Sequence, residues 1–246
     1  MQVQEQMMNL DHQTVVVLGG SSGVGLDVVC RAAAAGARVI AVARDGKRLG
    51  AALEGMGGLV SGVALDATDR SALDAFFAQV GTVDHLVLTL SGGDGAGSFN
   101  KLDLQALRRG FEAKFWPQLQ AAQAGLSALR AGGSVTFVTA VSAHIARPGT
   151  SGLGAINGAL EAMVGTLARE FAPSRVNAVS PGVIDTEWWS RLPAETRAAV
   201  FEEQVRTLPV GRVGRPEDVG HAVFFLVENG FVTGSIVECD GGLHLL

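Results

Sequence analysis

The stretch Thr14-Val15-Val16-Val17-Leu18-Gly19-Gly20-Ser21-Ser22-Gly23-Val24-Gly25 is a continuous apolar run that ends in a glycine-rich turn. A run of this kind bounded by glycine predicts a strand buried on both faces. A helical stretch follows, from about Gly23 to Ala35. Glycine at 19 allows a sharp turn, and glycine at 23 lets backbone approach a phosphate closely. Glycine at 25 permits tight packing of helix on strand, and the helix N-terminus attracts negative charge. A glycine-rich turn alone is a weak signal. Set between a buried strand and a helix, it points to a dinucleotide.

Outward from this turn the chain alternates strand and helix. Further strands are predicted at Arg38 to Val42, Val63 to Leu65, His85 to Leu90, Val135 to Thr139, Val176 to Val179 and Ile236 to Glu238. Thr68 or Asp69 would cap the helix running to Val80. No linker-like stretch interrupts the pattern, so residues 1–246 read as one α/β domain. It is a single-domain Rossmann-type fold: a doubly wound parallel sheet of about seven strands with helices on both faces. Ligands on such sheets bind at the carboxyl ends of the strands.

Composition narrows the function. With 246 residues, 48% hydrophobic and 17% charged, the chain is too apolar for disorder. A net charge of −5 and only three lysines, at 47, 101 and 114, argue against a nucleic-acid partner. Cys30 and Cys239 fit no metal or disulfide spacing, so no metal is expected and a reducing compartment is the plain reading. The N-terminus, Met1 to Gln13, lacks a basic leader pattern, and no apolar run reaches membrane-spanning length. The expectation is a soluble cytoplasmic protein, with a small molecule as partner and neither nucleic acid nor membrane.

The end of the second strand selects the dinucleotide. An acidic residue about 20 positions past the turn suits the ribose hydroxyl of NAD, whereas an arginine suits a 2′-phosphate. Arg44 lies 19 positions after Gly25 and offers a planar fork matched to phosphate. Its neighbour Asp45 keeps NAD possible. NADP(H) is the cofactor expected.

These residues resemble the short-chain dehydrogenase/reductase family over nearly the whole chain. Leu18 to Gly25 is similar to the family's Thr-Gly-x-x-x-Gly-x-Gly turn, with leucine in place of threonine. Asp66 matches the acidic residue that contacts adenine. Arg175-Val-Asn-Ala-Val-Ser-Pro181-Gly182-Val183-Ile-Asp-Thr186 is similar to the segment whose backbone and threonine touch the nicotinamide, here Val183 and Thr186. Gly211 to Val219, and Thr233-Gly through Asp240-Gly-Gly242, match the closing segments. The resemblance implies cofactor contacts from Gly19, Ser21, Ser22, Gly23, Val24, Gly25, Arg44, Asp66, Pro181, Gly182, Val183 and Thr186.

The chemistry departs from the family pattern, which uses a tyrosine, a lysine four residues later, a serine and an asparagine. Leu153 falls on the tyrosine position, Asn157 on the lysine and Ala140 on the serine. Lys114 stands where asparagine is expected, and the Asn-Asn-Ala-Gly segment has become Leu88-Thr-Leu-Ser91. The chain contains no tyrosine at all. Two readings follow. In one, Leu153, Ile156, Leu160, Met163 or Val164, and Leu167 form an ordinary core stripe, and the protein is an inactive dinucleotide binder acting by sensing or assembly. In the other, Lys114 and Asn157 have exchanged types, keeping one cation and one amide in the cleft. Pro117 should then kink the helix beside Lys114. Lys114 and Asn157, with His144 as a group titrating near neutrality and Ser142 as a hydrogen-bond donor, are the candidate catalytic residues. Thr139, on the other side of the missing serine, could likewise donate a hydrogen bond to the substrate oxygen. A surface contact for His144 and strand-end capping for Thr139 and Ser142 are the plainer alternatives.

Residues 185–207, containing Trp188 and Trp189, would form a substrate lid with an aromatic wall suited to a hydrophobic molecule. The function expected is an NADP(H)-dependent oxidoreductase acting on a carbonyl or an activated double bond. The resemblance also implies a homotetramer or homodimer, with which the apolar segments Val223 to Val227 and Leu243 to Leu246 are compatible.

Overall fold

Seven parallel strands lie in the order β3-β2-β1-β4-β5-β6-β7 in a computed structural model that describes residues 9–246. The reading of the N-terminal leader rests in part on residues 1–8, outside the described residues. The strands are β1 (Thr14–Leu18), β2 (Arg38–Ala43), β3 (Val60–Ala64), β4 (Val83–Leu88), β5 (Leu129–Val138), β6 (Arg175–Pro181) and β7 (Ile236–Cys239). The order reverses between β1 and β4, which opens a crevice at their carboxyl ends. The third strand begins at Val60, earlier than the sequence suggested. Its mixed burial leaves little apolar signal, and it is placed by pairing with β2, Val39 opposite Val60.

Alternation along β1 builds both halves of the core. Val16 and Leu18 pack on one face with Leu73, Phe77, Phe137 and Leu160. Val15 and Val17 pack on the other with Val28, Val29, Val223 and Leu226. The first face is covered by α3 (Arg70–Val80), α5 (Trp116–Gly125) and α6 (Ser151–Glu170). The second is covered by α1 (Gly23–Ala34) and α8 (Pro216–Glu228), with Leu49 of α2 (Gly46–Ala52) at its edge. Each such side chain removed from water contributes about 1.5–3 kcal/mol. Asp69, not Thr68, caps α3, accepting from the Ala72 amide at 3.0 Å. Thr68 instead binds Asp66.

The long helix before β5 runs as α4 (Leu104–Gly110), a π turn over Phe111–Phe115, and then α5. The expected kink at Pro117 takes the form of this π turn, in which the Trp116 amide reaches back to the Phe111 carbonyl. Pro117 then sits in the first turn of α5, where a missing N–H costs little. Single π turns of this kind often accompany functional sites.

The closing segments act as fasteners. Arg175 donates to the Leu226 and Val227 carbonyls at the end of α8, the latter at 2.8 Å. Asn177 holds Val232 and Ser235, and Asp240 accepts from Gly242 and His244. In Val223 to Val227 only Phe225 is exposed, because the helix turns its other apolar residues inward. Leu245 and Leu246 remain exposed. No described helix is long and apolar enough to cross a membrane.

Candidate active site

A cleft of about 710 Å³ lies along the carboxyl ends of β1, β2, β4, β5 and β6. Every residue assigned above to the cofactor lines it, from Gly19 to Thr186. The glycine turn is shaped by contacts that exclude a side chain. Gly19 has φ +92°, and a Cβ on Gly25 would lie 2.2 Å from the Gly19 carbonyl oxygen. Helix α1 therefore starts directly against the turn, its free amides facing the cleft. Thr89, just past β4, ties the strand ends together by donating to the Leu18 carbonyl at 2.8 Å. This cradle fits a phosphate group pressed against backbone.

At the adenosine end, Arg44 and Arg48 are exposed on the cleft wall. Asp45 Oδ1 is taken up in capping α2, accepting from the amides of Lys47 and Arg48 at 3.0 and 3.1 Å. Asp66 accepts from the backbone and hydroxyl of Thr68. The backbone bond from Thr68 is the largest influence holding its carboxyl below the usual carboxylate range, with Arg44 adding to it.

The other end carries the departures from the family pattern. Lys114, in the π turn, is buried, and its Nζ donates to the Thr139 carbonyl at 2.8 Å. Burial pushes its ammonium down to about 8, and the negative charge of Glu161 opposes that fall. Asn157 donates to Ser142 Oγ and to the Leu153 carbonyl, both at 3.0 Å. Its Oδ1 is buried without a partner among the described residues. Lys114, Asn157 and Ser142 line the same cleft. His144 does not: its Nε2 meets Glu161 Oε2 at 2.7 Å, behind the cleft wall. Leu153 is half-buried and lines the cleft.

The Glu187–Arg191 turn lines the cleft, together with Val200 of α7 (Ala194–Thr207). Both tryptophans are anchored. Trp188 Nε1 donates across the cleft to the Gly92 carbonyl at 2.8 Å, and Trp189 Nε1 donates to Ile184 at 2.9 Å. Their rings meet edge to face at 4.9 Å, and Trp189 also meets Phe201 at 5.5 Å. An ion pair between Glu187 and Arg48 joins this segment to α2.

Comparison with known proteins places the chain. Residues 19–244 match the family model described as enoyl-(acyl carrier protein) reductase. The short-chain dehydrogenase/reductase ATR9 of Stachybotrys chlorohalonatus is 30% identical over 97% of this chain and 100% of its own length. The chain belongs to the short-chain dehydrogenase/reductase family. Its relatives include solved structures of the same fold. A small-chain dehydrogenase crystallised in complex with NADPH is 31% identical, with TM-score 0.81, covering 96% of this chain and 100% of that one. The apo structure of a short-chain oxidoreductase from Pseudomonas aeruginosa PAO1, described as containing an atypical catalytic center, is 28% identical with TM-score 0.86. It covers 96% of this chain and 98% of that one.

For a short-chain dehydrogenase/reductase, two features here were not found from sequence. Glu161 of α6 matches none of the residues in the family pattern. Yet Leu153, Asn157 and Glu161 recur at intervals of four, and a carboxylate within the apolar stripe of Leu160 and Val164 was the available signal. Arg48 and Arg191, also on the cleft wall, carried no local pattern.

Proposed function

We propose that the chain is an NADP(H)-dependent oxidoreductase with an atypical catalytic centre, reducing a carbonyl or activated double bond of a hydrophobic small molecule. The observation that carries this reading is Lys114: a buried ammonium held in the cleft wall beside Asn157 and Ser142. When bound, the nicotinamide supplies the hydride. The glycine turn and the N-terminus of α1 would hold its pyrophosphate, Asp66 its adenine, and Pro181 to Thr186 the nicotinamide end. Arg44 and Arg48 favour a 2′-phosphate, while the capping role of Asp45 draws it away from a ribose diol. Lys114 stabilises negative charge developing on the substrate oxygen or donates a proton to it. Asn157 and Ser142 orient the polar end of the substrate. The Trp188 and Trp189 wall accepts its apolar part.

Consumption of NADPH fluorescence across a panel of ring-bearing ketones and enones tests the reading. Turnover above background supports it. Tight NADPH binding with no turnover on any member favours the inactive dinucleotide binder instead. Arg44→Ala is expected to weaken NADPH relative to NADH by roughly ten- to hundredfold, the scale of one lost charge-assisted hydrogen bond. Competition binding with both cofactors checks this, and an unchanged preference contradicts the assignment. The exposed side chains of Phe225, Phe231, Leu245 and Leu246 support a symmetric homodimer or homotetramer.

A further inference from the structure

The mechanism proposed above leaves one buried acid unused. Glu161 projects from the middle of α6 and is 7% exposed. One oxygen accepts from the Thr139 hydroxyl at 2.6 Å, and the other meets His144 Nε2 at 2.7 Å. Thr139 holds both charges: its hydroxyl binds Glu161 while its carbonyl accepts from Lys114. A buried carboxylate with full hydrogen-bonding is retained at a cost unless it is paired. A buried ammonium whose only hydrogen bond among the described residues is to a neutral carbonyl needs such a partner.

We infer that Glu161, fixed between Thr139 and His144, is the positioning residue that serves as buried counter-charge to Lys114 and keeps it an ammonium inside the cleft. The inference rests on Lys114 being the charged group of the site. Other charged residues face the cleft, but each is placed differently. Asp94, from the loop after β4, is paired with Arg109. Glu112 shares the π turn with Lys114 and is exposed, Arg147 is paired with Glu203, and Arg191 lies over the Trp188 ring. Glu161 shares Thr139 with Lys114, and its negative charge opposes the fall that burial imposes on the Lys114 ammonium. His144, a third exposed, gives the carboxylate its contact with solvent.

The test uses the scarcity of lysine. Protein labelled with ¹³C at lysine Cε gives signals from positions 47, 101 and 114 alone, and Lys114→Arg identifies the third. The Lys114 signal should titrate near pH 8. In Glu161→Gln its midpoint should fall by about one pH unit or more, the effect of losing a nearby opposite charge, and any basic limb of turnover should move with it. A midpoint unchanged in folded Glu161→Gln overturns the inference. If that variant does not fold, Thr139→Val carries the same test, since it removes the hydroxyl that fixes the carboxylate. A downward midpoint supports the inference and an unchanged one overturns it. Loss of turnover in Lys114→Ala with an unmoved midpoint in Glu161→Gln sinks the counter-charge alone. A moved midpoint with full turnover in Lys114→Ala sinks the functional reading alone.

Discussion

Lys114→Ala should lose turnover by roughly 10²–10⁴-fold, the usual range for a positioned proton donor, while the chain still folds and still binds NADPH. Lys114→Met, which keeps length and removes charge, should lose as much. The pH dependence follows from the same group. Burial lowers its ammonium from the ordinary 10.5 to about 8, so the cationic form dominates at neutrality and disappears as pH rises through that value. Turnover should therefore decline above about pH 8 in the native chain. The unfolded chain keeps this proton up to higher pH than the folded one does. The stability contribution at this site consequently rises with pH between about 8 and 10.5. Steady-state rates at saturating NADPH, measured from pH 6 to 10, read the first effect. A Lys114→Ala rate within a factor of two of native, with any accepted substrate, contradicts the role given to this residue.

Gly25→Ala should be nearly as damaging, through geometry. The added methyl would sit 2.2 Å from the Gly19 oxygen and 2.6 Å from Thr89 Oγ1. The first neighbour is backbone that cannot yield without reshaping the turn. Overpacking of this kind costs about 1–3 kcal/mol of stability. The larger effect should fall on cofactor binding, because the displaced amides at the start of α1 are those proposed to hold the phosphates. NADPH affinity should drop by more than about tenfold, equivalent to about 1.4 kcal/mol. Calorimetric titration and a thermal melt separate the two losses. Native affinity in the variant would mean that the turn does not hold the pyrophosphate.

The sheet was legible because its strands are buried on both faces and read as apolar runs, as in Val15 to Leu18 and Leu86 to Leu88. Strand β3 was harder, since edge position leaves Ser61, Gly62 and Ala64 exposed and only pairing with β2 reveals its start. The turn and Arg44 could be found from local chemistry and spacing. Lys114 and Asn157 came from registering two helices against a family pattern. Glu161 and the true orientation of His144 could not be found that way. Their contact joins the loop after β5 to the middle of α6. The apolar stripe of Leu160 and Val164 marked Glu161 as a carboxylate on the buried wall, but no local pattern encodes its pairing with His144. The π turn was likewise missed, because Pro117 requires some accommodation without specifying its form.

A crystal structure grown with NADP⁺ tests the central claim most directly. The account predicts Lys114 Nζ within about 3 Å of the nicotinamide ribose or of the substrate-facing space beside it, with Glu161 and Thr139 still behind it. Cofactor seated in the cleft while the Lys114 side chain points into bulk solvent would contradict it.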